Sequence, residues 1–117
     1  MKIDLSYLRE MAGSNKELVL EMISIFKSQV VEFGENMDQL LESKEYELLG
    51  KLAHKAKSSV AIMGMEDLAQ RLKDLENSAR EGKNVGTYAK TVDSFKQETA
   101  EAVKELNLVT QNLELYF

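Results

Sequence analysis

Proline is absent from this chain, and so is cysteine. Without proline the usual breaker of helices is missing. Without cysteine there can be no disulfide, thiolate zinc site or cysteine nucleophile, which fits a reducing compartment. Histidine occurs once, as His54. One histidine is too few for a histidine-rich zinc site or for the paired Glu-x-x-His motifs of a di-iron bundle, and Lys51 stands where the glutamate would be. No Gly-rich phosphate loop running into Lys-Ser or Lys-Thr is present. The chain thus lacks visible means of binding a nucleotide and phosphorylating itself. No Gly-x-Ser-x-Gly elbow exists either, and the serines nearest His54 share its helix, so nothing marks a Ser-His-Asp triad.

Basic charge is also in short supply. The formal net charge is −5, which disfavours nucleic acid as a partner. No run approaches the roughly 20 apolar residues of a membrane span. The opening Met-Lys-Ile-Asp-Leu-Ser lacks the apolar core of a secretory signal. The expectation is a cytoplasmic protein without metal or bound cofactor. The near-start methionine and the lack of linkers point toward a free-standing protein rather than part of a longer one.

What remains is a helix-forming sequence. Its 117 residues suit one domain, with 44% apolar and 30% charged side chains. A chain of that size can bury a core without covalent staples. Apolar residues recur at spacings of three and four throughout, and no segment alternates with period two. A short helix is expected over Asp4–Ala12, closed by Gly13 in the left-handed conformation. Ser14 and Glu17 read as a capping box for a second helix running to about Glu42. Its apolar positions are Val19, Met22, Phe26, Val30, Phe33, Met37 and Leu40, and Gly34 marks a possible bend. A third helix starts after a break near Ser43 and stops at Gly64. The fourth carries Leu68, Leu72, Leu75 and Ala79 and stops at Gly82. The fifth carries Tyr88, Val92, Phe95, Thr99, Ala102, Leu106 and Val109.

Four long amphipathic helices with short connections predict an all-α, antiparallel up-and-down four-helix bundle, with the short first helix covering one end. Residues 1–107 form the domain in this reading. Residues 108–117 are a tail that extends the last helix, frays, or is foreign to the domain.

His54 is the residue that fits the bundle least. At about 100° per residue, Leu49, Leu52, Ala53, Ala56, Val60 and Met63 share one face, and His54 lies roughly 165° from its middle. Its outer neighbours are Gly50, Lys57, Ser58 and Ala61. A solvent-facing imidazole among small residues is a reachable nucleophile. One ring nitrogen can attack a phosphoryl group while the other keeps a proton and a hydrogen bond. Lys57, one turn onward, can set an ammonium near the added charge, which is close to two negative units. A charge-assisted hydrogen bond of this kind is worth about 1.5–3 kcal/mol.

These residues resemble the histidine-containing phosphotransfer (HPt) domain of two-component phosphorelays. That family's pattern is roughly Ala-His-x-Leu-Lys-Gly-Ser with a later glycine, and Ala53, His54, Lys57, Ser59 and Gly64 match it. Leu68 and Leu75-Glu76 match the helix that follows. The opening Asp-Leu-Ser-Tyr-Leu-Arg-Glu and the helix from about Lys16 are also similar, so the likeness spans about residues 3–107. The resemblance implies His54 as phosphoacceptor and Lys57 as phosphate-stabilising cation. It implies that a polar side chain of the next helix, here Glu76, orients the imidazole. A carboxylate there would fix the ring's tautomer and raise its basicity. Partners would be receiver domains of response regulators or hybrid histidine kinases, with the receiver supplying the metal and much of the catalysis. A monomer is expected from the typical member.

Two positions depart from the pattern. Ser58 replaces the usual glycine after the lysine, and Ala56 the bulky apolar residue before it. Each of the other candidates also has a plainer reading. Lys51 and Lys55 are solvated flanks or attract an acidic receiver site. Gly50 gives a partner clearance or lets two helices pack tightly. Ile62 and Met65 form an apolar docking patch with Ser58 and Ala61, or are core overflow at the helix end. The rival to a phosphorelay intermediate is a non-catalytic helical binding module with a vestigial histidine. A hydrolase using His54 as a base lacks a partnered nucleophile.

Overall fold

A computed structural model of the chain describes residues 2–117. Six helices and one 3-10 turn follow in order: α1 Ser6–Ala12, α2 Lys16–Glu42, α3 Tyr46–Ile62, α4 Glu66–Glu81, the turn Val85–Thr87, α5 Tyr88–Gln111 and α6 Leu113–Tyr116. There is no strand among the described residues. The chain is an all-α helical bundle with a short N-terminal helix, as the apolar spacing predicts.

Helix α2 packs on α3 and α5, and α4 packs on the same two, so these four helices ring one core. Short connections make each helix antiparallel to the next. The bundle measures 46 × 21 × 20 Å. Its length is set by the 27-residue α2, about 40 Å long at about 1.5 Å per residue. The core is apolar from end to end, with Leu49, Ala53, Ala56 and Val60 of α3 facing Leu68, Leu72 and Leu75 of α4 and Val92, Phe95 and Leu106 of α5. Thr99 is the one buried polar residue among those described, and its hydroxyl donates to the Phe95 carbonyl at 2.7 Å, within its own helix.

Several boundaries differ from the sequence expectation. Helix α1 begins at Ser6, because the Asp4 carboxylate accepts from the Ser6 amide and hydroxyl and ends the extended lead-in. Asn15, not Ser14, caps α2: its side chain accepts from the Leu18 amide at 3.0 Å. Ile23 is buried on α2, while Met22, Phe33 and Leu40 are only half-buried against the core. Gly13 has φ +57° with ψ −127°, so it turns the chain outside the left-handed helical region. Gly34 lies against the Lys96 stem, where an added Cβ would sit 3.1 Å from Cγ. The tail continues as α5 to Gln111, then α6 turns back and places Leu113, Tyr116 and Phe117 against the core. There the Arg9 side chain donates to the Tyr116 carbonyl at 2.8 Å.

Three helices end in the same paired hydrogen bonds, in which two successive amides reach back five and three residues. After α3 these are Met65 to Val60 and Gly64 to Ala61, and after α4 they are Lys83 to Ser78 and Gly82 to Ala79. After α2 they are Glu45 to Leu40 and Lys44 to Leu41, with Lys44 at φ +58° where the other two helices use glycine. Gly64 has φ +75°, and a Cβ there would collide with the backbone of Asp4, whose amide donates to the Met63 carbonyl at 2.9 Å. The N-terminal segment thus rests on the turn that ends the His54 helix, with Ile3 and Leu5 buried.

Two substitutions test these turns. Lys44→Gly relieves a left-handed lysine and should stabilise the fold by about 0.5–1 kcal/mol. Gly64→Ala meets both torsional strain and the Asp4 backbone, and should cost about 1–3 kcal/mol. Urea unfolding monitored by circular dichroism reads both, and equal stability of the two variants would contradict the assignment.

Candidate functional site

Helix α3 buries Leu49, Ala53, Ala56 and Val60, and this leaves His54 on the outer side with its side chain 62% exposed. The neighbouring α4 comes unusually near at Gly50. A Cβ on that residue would lie 3.1 Å from Ala79 Cβ and 3.3 Å from the Glu76 carbonyl oxygen. Gly50 is itself buried, so its smallness serves the approach of α3 and α4. It also borders the hollow beside His54, together with Glu47, Lys51, Lys55, Glu76 and Arg80.

That approach delivers Glu76 to the imidazole. His54 Nδ1 lies 3.0 Å from Glu76 Oε2. A carboxylate accepts only, so the contact requires the proton on Nδ1 and leaves the lone pair on Nε2. Lys57 Nζ donates to Glu76 Oε1 at 3.3 Å, and its side chain is 26% exposed. Arg80, one turn beyond Glu76, donates to Oε2 at 3.0 Å. One carboxylate therefore gathers all three cationic or basic groups. Burial pushes the Glu76 carboxyl up, but the His54 and Lys57 hydrogen bonds outweigh it and hold the group below the ordinary glutamate value.

The remaining sequence candidates separate by burial. Ser58 is exposed, and Ala61 and Ile62 are half-buried. Ser58, Ala61 and Ile62 line a hollow with Asp4, Tyr7 and Gly64 at its far side. A second hollow, sharing Ser58 and Ile62, runs toward Met22, Ile25 and Gln29 of α2. Met65 does not belong to this surface. It is only 4% exposed and lies in the core. The helix stops at Ile62 and the chain reverses at Gly64, so projecting the α3 face onward to residue 65 fails. Ala56 is wholly buried, while the Ser59 hydroxyl donates to Gln29 Oε1 at 2.9 Å and ties α3 to α2. Lys51 is exposed and 3.9 Å from Glu47, and Lys55 is exposed.

Three residues of the site escaped the sequence reading. Arg80 stands four after Glu76, the spacing of an ion pair within a helix, and that spacing was the available signal. Tyr7 and Ile25 are 47% and 48% exposed, apolar side chains off the core stripe of their helices. Among the described residues no group of three His, Asp or Glu side chains is placed to hold a metal ion. No described helix is long and apolar enough to cross a membrane.

Comparison with known proteins adds one finding. A family model described as "Hpt domain" matches residues 21–107. No curated protein and no solved structure matches the chain significantly.

The direction of the Glu76 shift fixes a pH dependence. A carboxyl held below its ordinary value of 4.5 contributes stability that is complete above that value and lost as pH falls through the lower folded value. The stability difference between the wild type and Glu76→Gln should accordingly shrink as pH falls below 4.5. Unfolding curves at stepped pH in that range measure this, and a difference that grows as pH falls below 4.5 would reverse the sign assigned to the network.

Proposed function

The chain belongs to the Hpt domain family, whose members act as phosphocarriers in two-component phosphorelays, and from that premise we propose that His54 is the residue that carries the phosphoryl group. One observation supports this reading above the others. The only histidine of the chain is exposed, and its Nδ1 is engaged by a carboxylate, which leaves Nε2 as the nucleophile.

In the forward step a receiver's aspartyl phosphate approaches in line with Nε2. The Nε2–P bond forms, the P–O bond breaks, and its electron pair leaves with the aspartate carboxylate. The imidazole becomes cationic with its proton still on Nδ1, facing Glu76. Lys57 turns from Glu76 to the phosphoryl oxygens, whose charge approaches two negative units. Transfer to a second receiver reverses these bond changes. Lys51, Lys55 and Arg80 add positive potential around the nucleophile in a chain of net charge −5 and draw an acidic receiver site toward it.

The receiver's apolar contacts fall on Tyr7, Ile25, Ser58, Ala61 and Ile62, the hollowed face that α1, α2 and α3 share beside His54. Ser58 sits centrally there. Its hydroxymethyl group occupies room that a glycine would leave open, and so narrows the set of receivers that fit. This surface binds one receiver at a time, on a cytoplasmic, monomeric carrier with no cofactor of its own and no autokinase activity.

Incubation with phosphorylated receivers tests the reading. Wild-type protein should acquire acid-labile, alkali-stable phosphate, and His54→Gln should acquire none. Lys57→Ala should slow transfer about 10–100-fold, the loss of one charge-assisted hydrogen bond of about 1.5–3 kcal/mol. Label that persists in His54→Gln would sink the assignment of the acceptor. Receiver binding without any transfer would favour a binding module.

A further inference from the structure

Glu76 Oε2 carries two donors, and only one of them is the imidazole. His54 Nδ1 and Arg80 each lie 3.0 Å from that oxygen, while Lys57 holds Oε1 at 3.3 Å. The two cations differ in what phosphorylation asks of them. Lys57 stands three residues after His54 on the same helix, so a phosphoryl group on Nε2 competes directly for its ammonium. A doubly charged phosphoryl group outcompetes a single carboxylate for that cation. Arg80 stands on α4 with Glu76, spaced for an ion pair along one helix. Its grip on the carboxylate does not depend on α3 or on events at Nε2.

A Glu76 side chain deserted by Lys57 would keep only one partner besides Arg80, the imidazole itself. That side chain is just 15% exposed. Water can replace little of what it loses, so a poorly partnered charge there would turn toward solvent and abandon Nδ1. The consequence for chemistry lies in the outgoing step. When the P–Nε2 bond breaks, its electron pair stays on Nε2. The ring then leaves as neutral imidazole if Nδ1 keeps its proton, but as the far more basic imidazolate if it does not.

We propose that Arg80 is a positioning residue that keeps the Glu76 carboxylate on His54 Nδ1 while Lys57 leaves that carboxylate for the phosphoryl group. This handover rests on His54 being the phosphoacceptor, yet its structural half can be examined without any phosphate. Removing the Lys57 ammonium imitates its departure. The charged groups facing the imidazole are then Glu47, Lys51 and Lys55 of α3 and Glu76 and Arg80 of α4.

The experiment compares wild type, Lys57→Ala, Arg80→Ala and the double variant, each with 15N-labelled histidine, at a pH where the imidazole is neutral. The Nδ1 and Nε2 shifts report the tautomer directly. Wild type and both single variants should keep the Nδ1–H form. In the double variant the ratio of Nδ1–H to Nε2–H should fall by about tenfold, the loss of one charge-assisted hydrogen bond. Lys57→Ala/Arg80→Lys should recover it. A double variant that keeps the tautomer ratio of Lys57→Ala overturns the proposal. So does an Arg80→Ala effect of equal size with and without Lys57. A second arm treats wild type and Arg80→Ala with phosphoramidate, a small-molecule phosphoryl donor. The Nδ1 proton of phosphorylated His54 should persist in wild type and be lost in Arg80→Ala, and its equal persistence in both overturns the handover. Failure of phosphoramidate to modify His54 in either protein counts against His54 as the acceptor, while the tautomer arm still judges Arg80.

Discussion

The close approach of α3 and α4 at Gly50 is the constraint on which the site depends. A methyl group on Gly50 would crowd both Ala79 Cβ and the Glu76 backbone. Two small residues therefore let the helix axes come near enough for a carboxylate on one to reach an imidazole on the other at 3.0 Å. Glycine inside a helix costs up to about 1 kcal/mol relative to alanine. That cost is tolerated where the helices also share a long apolar seam, from Leu49 and Ala53 to Leu72 and Leu75. The same seam makes the placement rigid, because the buried faces of both helices are fixed by packing and leave little freedom of register.

Turns at the two ends of this pair hold it in place. Gly64 stops α3 and receives the N-terminal segment, whose Ile3 and Leu5 are buried. Gly82 stops α4 in the left-handed conformation, and the Tyr88 hydroxyl, donating to the Lys83 carbonyl, ties that stop to the start of α5. On the outer side of α3, Ser59 bonds Gln29 of α2, so α3 is held laterally by both of its neighbours. An exposed imidazole on a helix clamped in this way keeps its direction while staying open to solvent.

Much of this was legible in the sequence, for definite reasons. Period-3.6 apolar patterning is a local property, so the buried residues of α5, from Tyr88 to Val109, coincide with those expected. The outward placement of His54 follows from the same arithmetic. Contacts between helices were less accessible. Glu76 could be placed opposite His54 only through a family likeness, since no rule of spacing along one chain reports the register of two helices. Arg80 was missed because it works through Glu76 and shares no motif with His54. Met65 was misplaced because a helical projection was carried past the residue where the helix ends. Ser14 and Asn15 are both good capping residues, and which of the two caps α2 depends on how the chain leaves Gly13.

The choice of a carboxylate to hold the imidazole carries a conflict that the rest of the site answers. Glu76 fixes the tautomer better than a neutral amide would, because the hydrogen bond is charge-assisted. On the role proposed for His54, it also places a negative charge beside the atom that accepts a dianionic group, and like charges at such distances repel. Lys57 and Arg80 offset that charge from its two sides, one per carboxylate oxygen. A single cation could neutralise Glu76 or the phosphoryl group but not both at once. Two cations on different helices allow one to move while the other stays. On the proposed handover, the cluster of His54, Lys57, Glu76 and Arg80 balances its charge with the imidazole free and with it phosphorylated.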